Sequence, residues 1–236
     1  MELLNFDNLQ IYCSVYEYID SNMYVIFEQE NAIIIDPHYN AKLAQMLEEK
    51  QIENIEILLT HEHPDHISGL PWLKENFNTK IICTNACAAA ISDEKATRPL
   101  LLTFVLEEKD SINNTNLLEK FQKSYKTFAI DADITFENEY SYKTAEHFFE
   151  FYRKPGHSKG SCCIMLDKQY IFTGDLLMKD NPTITRFPGG KTKDFQTITI
   201  PFLHTLNKEI TVLPGHGGKF QLKEKMIEGH LNVAIR

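Results

Sequence analysis

The sequence predicts a mixed α/β chain of the α+β kind, one domain over residues 1–236, and three features of it carry that expectation. Short runs rich in β-branched and aromatic residues open the chain, strands and helices then alternate, and further apolar runs crowd residues 132–175.

The opening runs are IYCSVYEYI (Ile11 to Ile19), NMYVIFE (Asn22 to Glu28) and AIIID (Ala32 to Asp36), spaced as consecutive antiparallel strands. AKLAQMLEEK follows with Leu43, Met46 and Leu47 at helical spacing, and Asn40 is placed to cap it. IEILLT (Ile55 to Thr60) reads as a buried strand that runs into a polar loop, His61 to Gly69. A helix over 70–75, the strand KIICT and the helix ACAAAI come next. From Leu106 to about Phe128 the pattern weakens, and a polar, lid-like insertion is expected near 107–126, partly helical at best. ADITFE, HFFEFYRK, SCCIMLD and YIFTGD are strands, with turns at Glu137-Asn138 and Asp167-Lys168. A helix over 195–206 despite Pro201, a strand EITVLPG and a closing helix, Leu222 to Ile235, complete the reading.

A chain of this length can bury roughly 70% of its unfolded surface, so it needs no disulfide staples. Its cysteines, Cys13, Cys83, Cys87, Cys162 and Cys163, are odd in number and form no C-x-x-C pair, which fits reduced, packed thiols. Vicinal Cys162 and Cys163 should point to opposite faces of their strand. A formal charge of −9 speaks against a nucleic-acid or anionic-membrane surface, and no apolar run approaches a membrane span. Glu2 and Asp7 stand where a signal peptide would be basic and then apolar, so a cytoplasmic protein is expected.

The chemically informative residues terminate strands. IEILLT runs into THEHPDH, which puts His61, His63, Asp65 and His66 within six residues. Imidazole nitrogens and a carboxylate crowded into one space cost several kcal/mol to desolvate unless a cation lies between them. Histidine and carboxylate without thiolate suit Zn²⁺ or another first-row ion, with iron and manganese as alternatives. HFFEFYRK ends in PGHS with His157, YIFTGD ends in Asp175, and EITVLPG ends in PGHG with His216. His38, His147, His204 and His230 match no such position and are expected to be surface or structural. Trp72 is expected to be a packing anchor. Arg186, Lys191 and Lys193 follow FTGD and are candidates to receive an anionic substrate group.

THEHPDH, PGHSKGS, FTGD and LPGHG, in this order, closely resemble the metallo-β-lactamase superfamily, over nearly the whole chain. The resemblance implies a four-layer αββα sandwich of two mixed sheets flanked by helices. The complete ligand set and the TGD carboxylate look like its glyoxalase II branch, hydrolases of thioesters with a dinuclear metal centre. Carried over position by position, His61, His63 and His157 would hold one metal, Asp65, His66 and His216 the other, and Asp175 would bridge. The implied reaction is attack of a metal-bridging hydroxide on a small-molecule thioester or ester, with Asp65 orienting the nucleophile. Paired ions can lower a water's pKa from about 15.7 towards ~7.

A mononuclear-iron persulfide dioxygenase and a lactonase are the alternatives on the same fold. The chain ends soon after His216, without the helical C-terminal domain with which full-length glyoxalase II grips glutathione, so glutathione thioesters are not implied.

Overall fold

In the computed structural model, which describes residues 1–233, the chain divides into two compact units. The first comprises residues 1–58, 62–81 and 89–133; the second comprises 59–61, 82–88 and the described residues from 134 onward.

The first unit begins as an antiparallel meander of β1 (Glu2–Phe6), β2 (Leu9–Val15), β3 (Asn22–Glu28) and β4 (Asn31–Ile35). Strands β3 and β4 are buried along nearly their whole length, which is why they read as continuous apolar runs rather than alternating ones. Helix α1 (Ala41–Glu49) makes the crossover to β5 (Asn54–Leu58), which pairs in parallel with β4. Asn40 caps that helix as predicted, its side chain accepting from the Leu43 amide at 3.0 Å. The single turn α2 (Pro64–Ile67), helix α3 (Leu70–Asn76) and strand β6 (Asn78–Thr84) follow, and the end of β6 pairs in parallel with β7 (Ile134–Phe136). Within this unit strands β1 to β5 lie side by side in sequence order, while the end of β6 and β7 belong to the second unit. Helix α4 (Asn85–Ile91) comes after β6.

The stretch expected to be polar and partly helical at best is instead two helices, α5 (Leu100–Asn113) and α6 (Leu117–Ser124). Only some of their apolar residues turn inward: Leu102, Leu106 and Phe121 form a buried cluster with Tyr16 and Tyr18, while Leu100, Phe104 and Ile112 stay exposed. The corner between them is organised by Asp110, whose carboxylate accepts from the Thr115 hydroxyl and from the Leu117 and Leu118 amides at 2.6, 2.7 and 2.9 Å. The orphan donors at the start of α6 are thereby satisfied by a residue outside the helix, beyond the reach of a local capping rule.

The second unit is built on a six-stranded mixed sheet. Its strands are β8 (Glu139–Lys143), β9 (Phe148–Arg153), β10 (Cys162–Leu166), β11 (Tyr170–Gly174), β12 (Thr211–Pro214) and β13 (Phe220–Gln221), arranged β13-β12-β11-β10-β9-β8. All neighbours are antiparallel except β11 and β12. The turn between β10 and β11 holds Asp167 and Lys168 at φ of 49° and 57°, the left-handed pair that a tight hairpin turn requires. Both faces of β10 are covered: Cys162 and Cys163 are fully buried, one thiol directed at the Leu59 carbonyl and the other packed in the core. Cys83 and Cys87 of the same unit are buried as well.

The predicted helix over 195–206 is helical without a break through Thr205, but its first part, Phe195–Thr199, is a π-helical turn that leads directly into α8 (Ile200–Thr205), whose second residue is Pro201. The short α7 (Thr192–Asp194) and closing α9 (Glu224–Val233) complete the unit. The expected end of α9 at Ile235 lies outside the described residues. Phe195, Leu203, Ile227 and Val212 share one buried cluster. Two mixed sheets carrying helices bear out the predicted α+β class. Among the described residues no helix is long and apolar enough to cross a membrane.

Candidate metal centre

Every ligand-type residue singled out in the sequence follows a strand or the loop after one. In the second unit the topology explains why several meet. Strand β9 is antiparallel to β10, β10 to β11, and β11 is parallel to β12, so β9, β11 and β12 all run the same way and end at one sheet edge. His157, Asp175 and His216 leave from that edge. The Gly215 amide bonds the Gly174 carbonyl at 2.8 Å and fixes the last step of the ladder. Asp175 Oδ2 then lies 3.5 Å from Nε2 of His157 and 3.5 Å from Nε2 of His216. His61, at the end of its own short segment in this unit, stacks edge-on against His157 with ring centroids 5.0 Å apart, and ligand atoms of the two lie within 4.8 Å.

Gly174 is required where it stands. Its φ is +48°, and a Cβ there would come within 2.5 Å of the Thr60 hydroxyl and 3.3 Å of His61 Nδ1. The absent side chain is the space that the His61 ring and its partner occupy.

In the first unit, His63 stands at the N-terminal cap position of the single turn of α2, without a capping side-chain hydrogen bond, and the turn carries Asp65 and His66 on consecutive residues. His66 is fully buried, with Nε2 3.3 Å from Asp65 Oδ2 and Nδ1 3.1 Å from Asp36 Oδ2. The Ser21 hydroxyl donates to the Asp65 backbone carbonyl at 3.1 Å. Asp36 escaped the sequence reading because Asp-Pro after a strand is ordinary turn punctuation; its signal is a strand-terminal carboxylate held at φ 53°. Behind it His38 stacks on Tyr16 at 4.8 Å between ring centroids and hydrogen-bonds the Ser14 hydroxyl at 3.0 Å. Burial pushes the His38 imidazole down to about 3 and the Tyr16 phenol up to about 12, so both stay neutral.

The donor chemistry fits a divalent ion. Three of the histidines anchor one ring nitrogen to protein: His61 Nδ1 to the Thr60 hydroxyl at 3.0 Å, His66 Nδ1 to Asp36, and His157 Nδ1 to the Ile184 carbonyl at 2.7 Å. Outer partners of this kind fix tautomer and ring direction in metal sites. With Nδ1–H of His157 donating to a carbonyl, Nε2 is the nitrogen the neutral ring would offer a metal, and it faces the Asp175 carboxylate oxygen at 3.5 Å. A cation between the two would be shared by both. Donors about 2.1 Å from a tetrahedral ion are themselves roughly 3.4 Å apart, close to the spacing observed.

The remaining candidates differ. Arg186, Lys191 and Lys193 lie on exposed chain just past Ile184, and Lys191 pairs with Asp194 at 2.8 Å. His147 bonds Asp167 at 2.6 Å, His204 pairs with Glu224, and His230 holds Thr183 and Met178, all structural contacts as expected. Trp72 packs edge-on between Tyr39 and Phe77.

The chain is 31% identical over 199 residues to hydroxyacylglutathione hydrolase GloC of Haemophilus influenzae, a match spanning 80% of this chain and 82% of that one. Among solved structures, the BLEG-1 B3 metallo-beta-lactamase superposes with a TM-score of 0.67 at 23% identity, covering 94% of this chain and 96% of that one. ETHE1 from Myxococcus xanthus does so with a TM-score of 0.68 at 17% identity, covering 96% and 90%. At these identities the structures speak for a shared fold. The family model of the metallo-beta-lactamase superfamily matches residues 18–216, the span that holds both donor sets, and to that superfamily the chain belongs.

Proposed function

We propose that the protein is a metal-dependent hydrolase of thioesters, or of the related esters, and that its two donor sets together hold two divalent ions. His61, His63 and His157 serve one ion, Asp65, His66 and His216 the other, and Asp175 is shared. Asp175 carries this reading: one carboxylate oxygen lies 3.5 Å from a histidine of each ligand set. A shared negative charge offsets the repulsion of two neighbouring dications.

Ions bound there supply Lewis acidity, polarising an acyl carbonyl and acidifying a water. The protein's own groups do the remaining work. Asp65, whose backbone carbonyl accepts from Ser21, would orient a water molecule and accept its proton. Asp36 and the Ile184 carbonyl hold His66 and His157 in their tautomers. Arg186, Lys191 and Lys193 offer exposed positive charge to an anionic end of the substrate.

The thioester class is supported by the resemblance to glyoxalase II and by the name of GloC. Because this chain matches GloC over 82% of its length, a glutathione thioester heads the substrate panel, against the expectation drawn from chain length.

The test is metal analysis of purified protein, then loading with zinc, iron or manganese and assay on an acyl-glutathione, an aryl ester and a lactone, with oxygen uptake measured on a persulfide. Two metal equivalents and fastest turnover on the thioester are expected. One equivalent of iron with oxygen uptake would replace the hydrolase by a dioxygenase, preference for the lactone would make it a lactonase, and two equivalents without hydrolysis would overturn the reading.

A further inference from the structure

The His157 ring is held by the carbonyl of Ile184, and nothing about Ile184 itself explains how that carbonyl is held. Its side chain is 46% exposed, while Thr183 and Thr185 on either side are buried. Thr185 is secured by its hydroxyl to Thr192 at 2.7 Å and by the close backbone of Gly190. Thr183 is secured from the closing helix: its amide donates to His230 Nδ1 at 2.9 Å, and its hydroxyl donates to the Leu176 carbonyl at 3.0 Å. His230 Nε2 lies 3.0 Å from the Met178 carbonyl.

Nδ1 faces both the amide and, at 2.9 Å, the hydroxyl of Thr183, and Nε2 donates to a carbonyl; with the amide donating to Nδ1, the ring is the neutral Nε2–H tautomer. Burial, which disfavours the imidazolium, acts in the same direction. The ring thus ties Met178 to Thr183 across the exposed stretch 179–182.

We propose that His230 is a positioning residue for His157, acting through the Thr183 amide to set the Ile184 carbonyl that orients the ligand ring. Its metal consequence rests on the reading of His157 as a ligand; its structural consequence does not. The two contacts of His230 can be separated, because a Gln amide reproduces Nε2 and an Asn amide reproduces Nδ1. His230→Gln keeps the Met178 contact and loses the Thr183 contact, and His230→Asn does the reverse.

In metal-free protein, NMR should show a slowly exchanging Nδ1–H on His157, assigned by its loss in His157→Gln. That signal should persist in His230→Asn and be lost or exchange rapidly in His230→Gln. In competition with a chelator, His230→Gln should bind zinc about 10-fold more weakly than wild type, with His230→Asn within about 3-fold. The same His157 signal in both variants, or equal weakening in both, overturns the proposal. Should His230→Gln fail to fold, amide exchange in the intact protein decides: the Thr183 amide must be protected, and fast exchange there overturns the latch. Failure of wild type to bind zinc at all would fall on the metal reading, leaving the exchange comparison to judge His230.

Discussion

Asp65 and His66 are neighbours in the chain, and Asp36 reaches His66 from another strand end, whereas His157, Asp175 and His216 come from three strands far apart in sequence. The first grouping, which cuts across the two ligand sets, is a property of one loop. The second exists because three strands share a direction and a hydrogen-bonded ladder sets their ends level. A loop can be read from its residues, but a ladder is seen only once partners and register are known. The two sets are also backed differently: a carboxylate holds His66, and a backbone carbonyl holds His157.

The largest expected effect is on the ladder set. Asp175→Ala should remove about one metal equivalent and reduce kcat/KM by more than the ~100-fold that marks the upper range for outer partners. Metal analysis and steady-state kinetics check this, and full activity would break the dinuclear scheme. For the loop set, Asp36→Asn withdraws the carboxylate behind His66 and should weaken metal binding by about 10- to 100-fold with the circular dichroism spectrum retained. A loss as large as that of Asp175→Ala would erase the distinction between ligand and backing group.

A smaller effect concerns pH. The folded His38 is pushed down to about 3 from an ordinary value of 6.5, so between those limits the unfolded chain binds a proton that the folded chain refuses. Stability conferred by the neutral ring is therefore complete above 6.5 and falls as the pH drops, by up to ~1.4 kcal/mol per pH unit. His38→Gln, which keeps a donor near Ser14, should flatten denaturation midpoints measured from pH 7 to 4; an unchanged slope would remove His38 from the account. The smallest effect is expected at the exposed rim. Arg186→Glu should raise KM about two- to five-fold at low salt and leave metal content alone, and an unaltered KM would strike Arg186 from the substrate contacts.

Much of the fold could be read from local signals. Asn40 before an amphipathic run and Asp167-Lys168 between two apolar runs appear in the structure as expected, and the polar loop after IEILLT does so with one helical turn, Pro64–Ile67, inside it. Elements defined by distant partners were less visible. Strand β8 alternates exposed and half-buried residues at the edge of its sheet, and β13 is a two-residue pairing. Helices α5 and α6 depend on Asp110 reaching across a corner and on tyrosines from another segment. Within the site, the motifs named the ligand residues through their resemblance, while the carboxylate of Asp36, the hydroxyl of Thr60 and the carbonyl of Ile184 carry no motif. Turn residues and backbone oxygens become recognisable as partners only when the ring they serve is in place.

Burial of the thiols gives the molecule its own reporter of opening. Cys83, Cys87, Cys162 and Cys163 are closed to solvent within the second unit, and at Cys163 burial also raises the thiol to about 12, so there thiolate formation is withheld as well as access. A labelling reagent can reach β10 only when that strand is exposed. The rate of modification, measured with and without zinc, would therefore clock the escape of the ladder that holds Asp175 and His216, with no probe added to the protein.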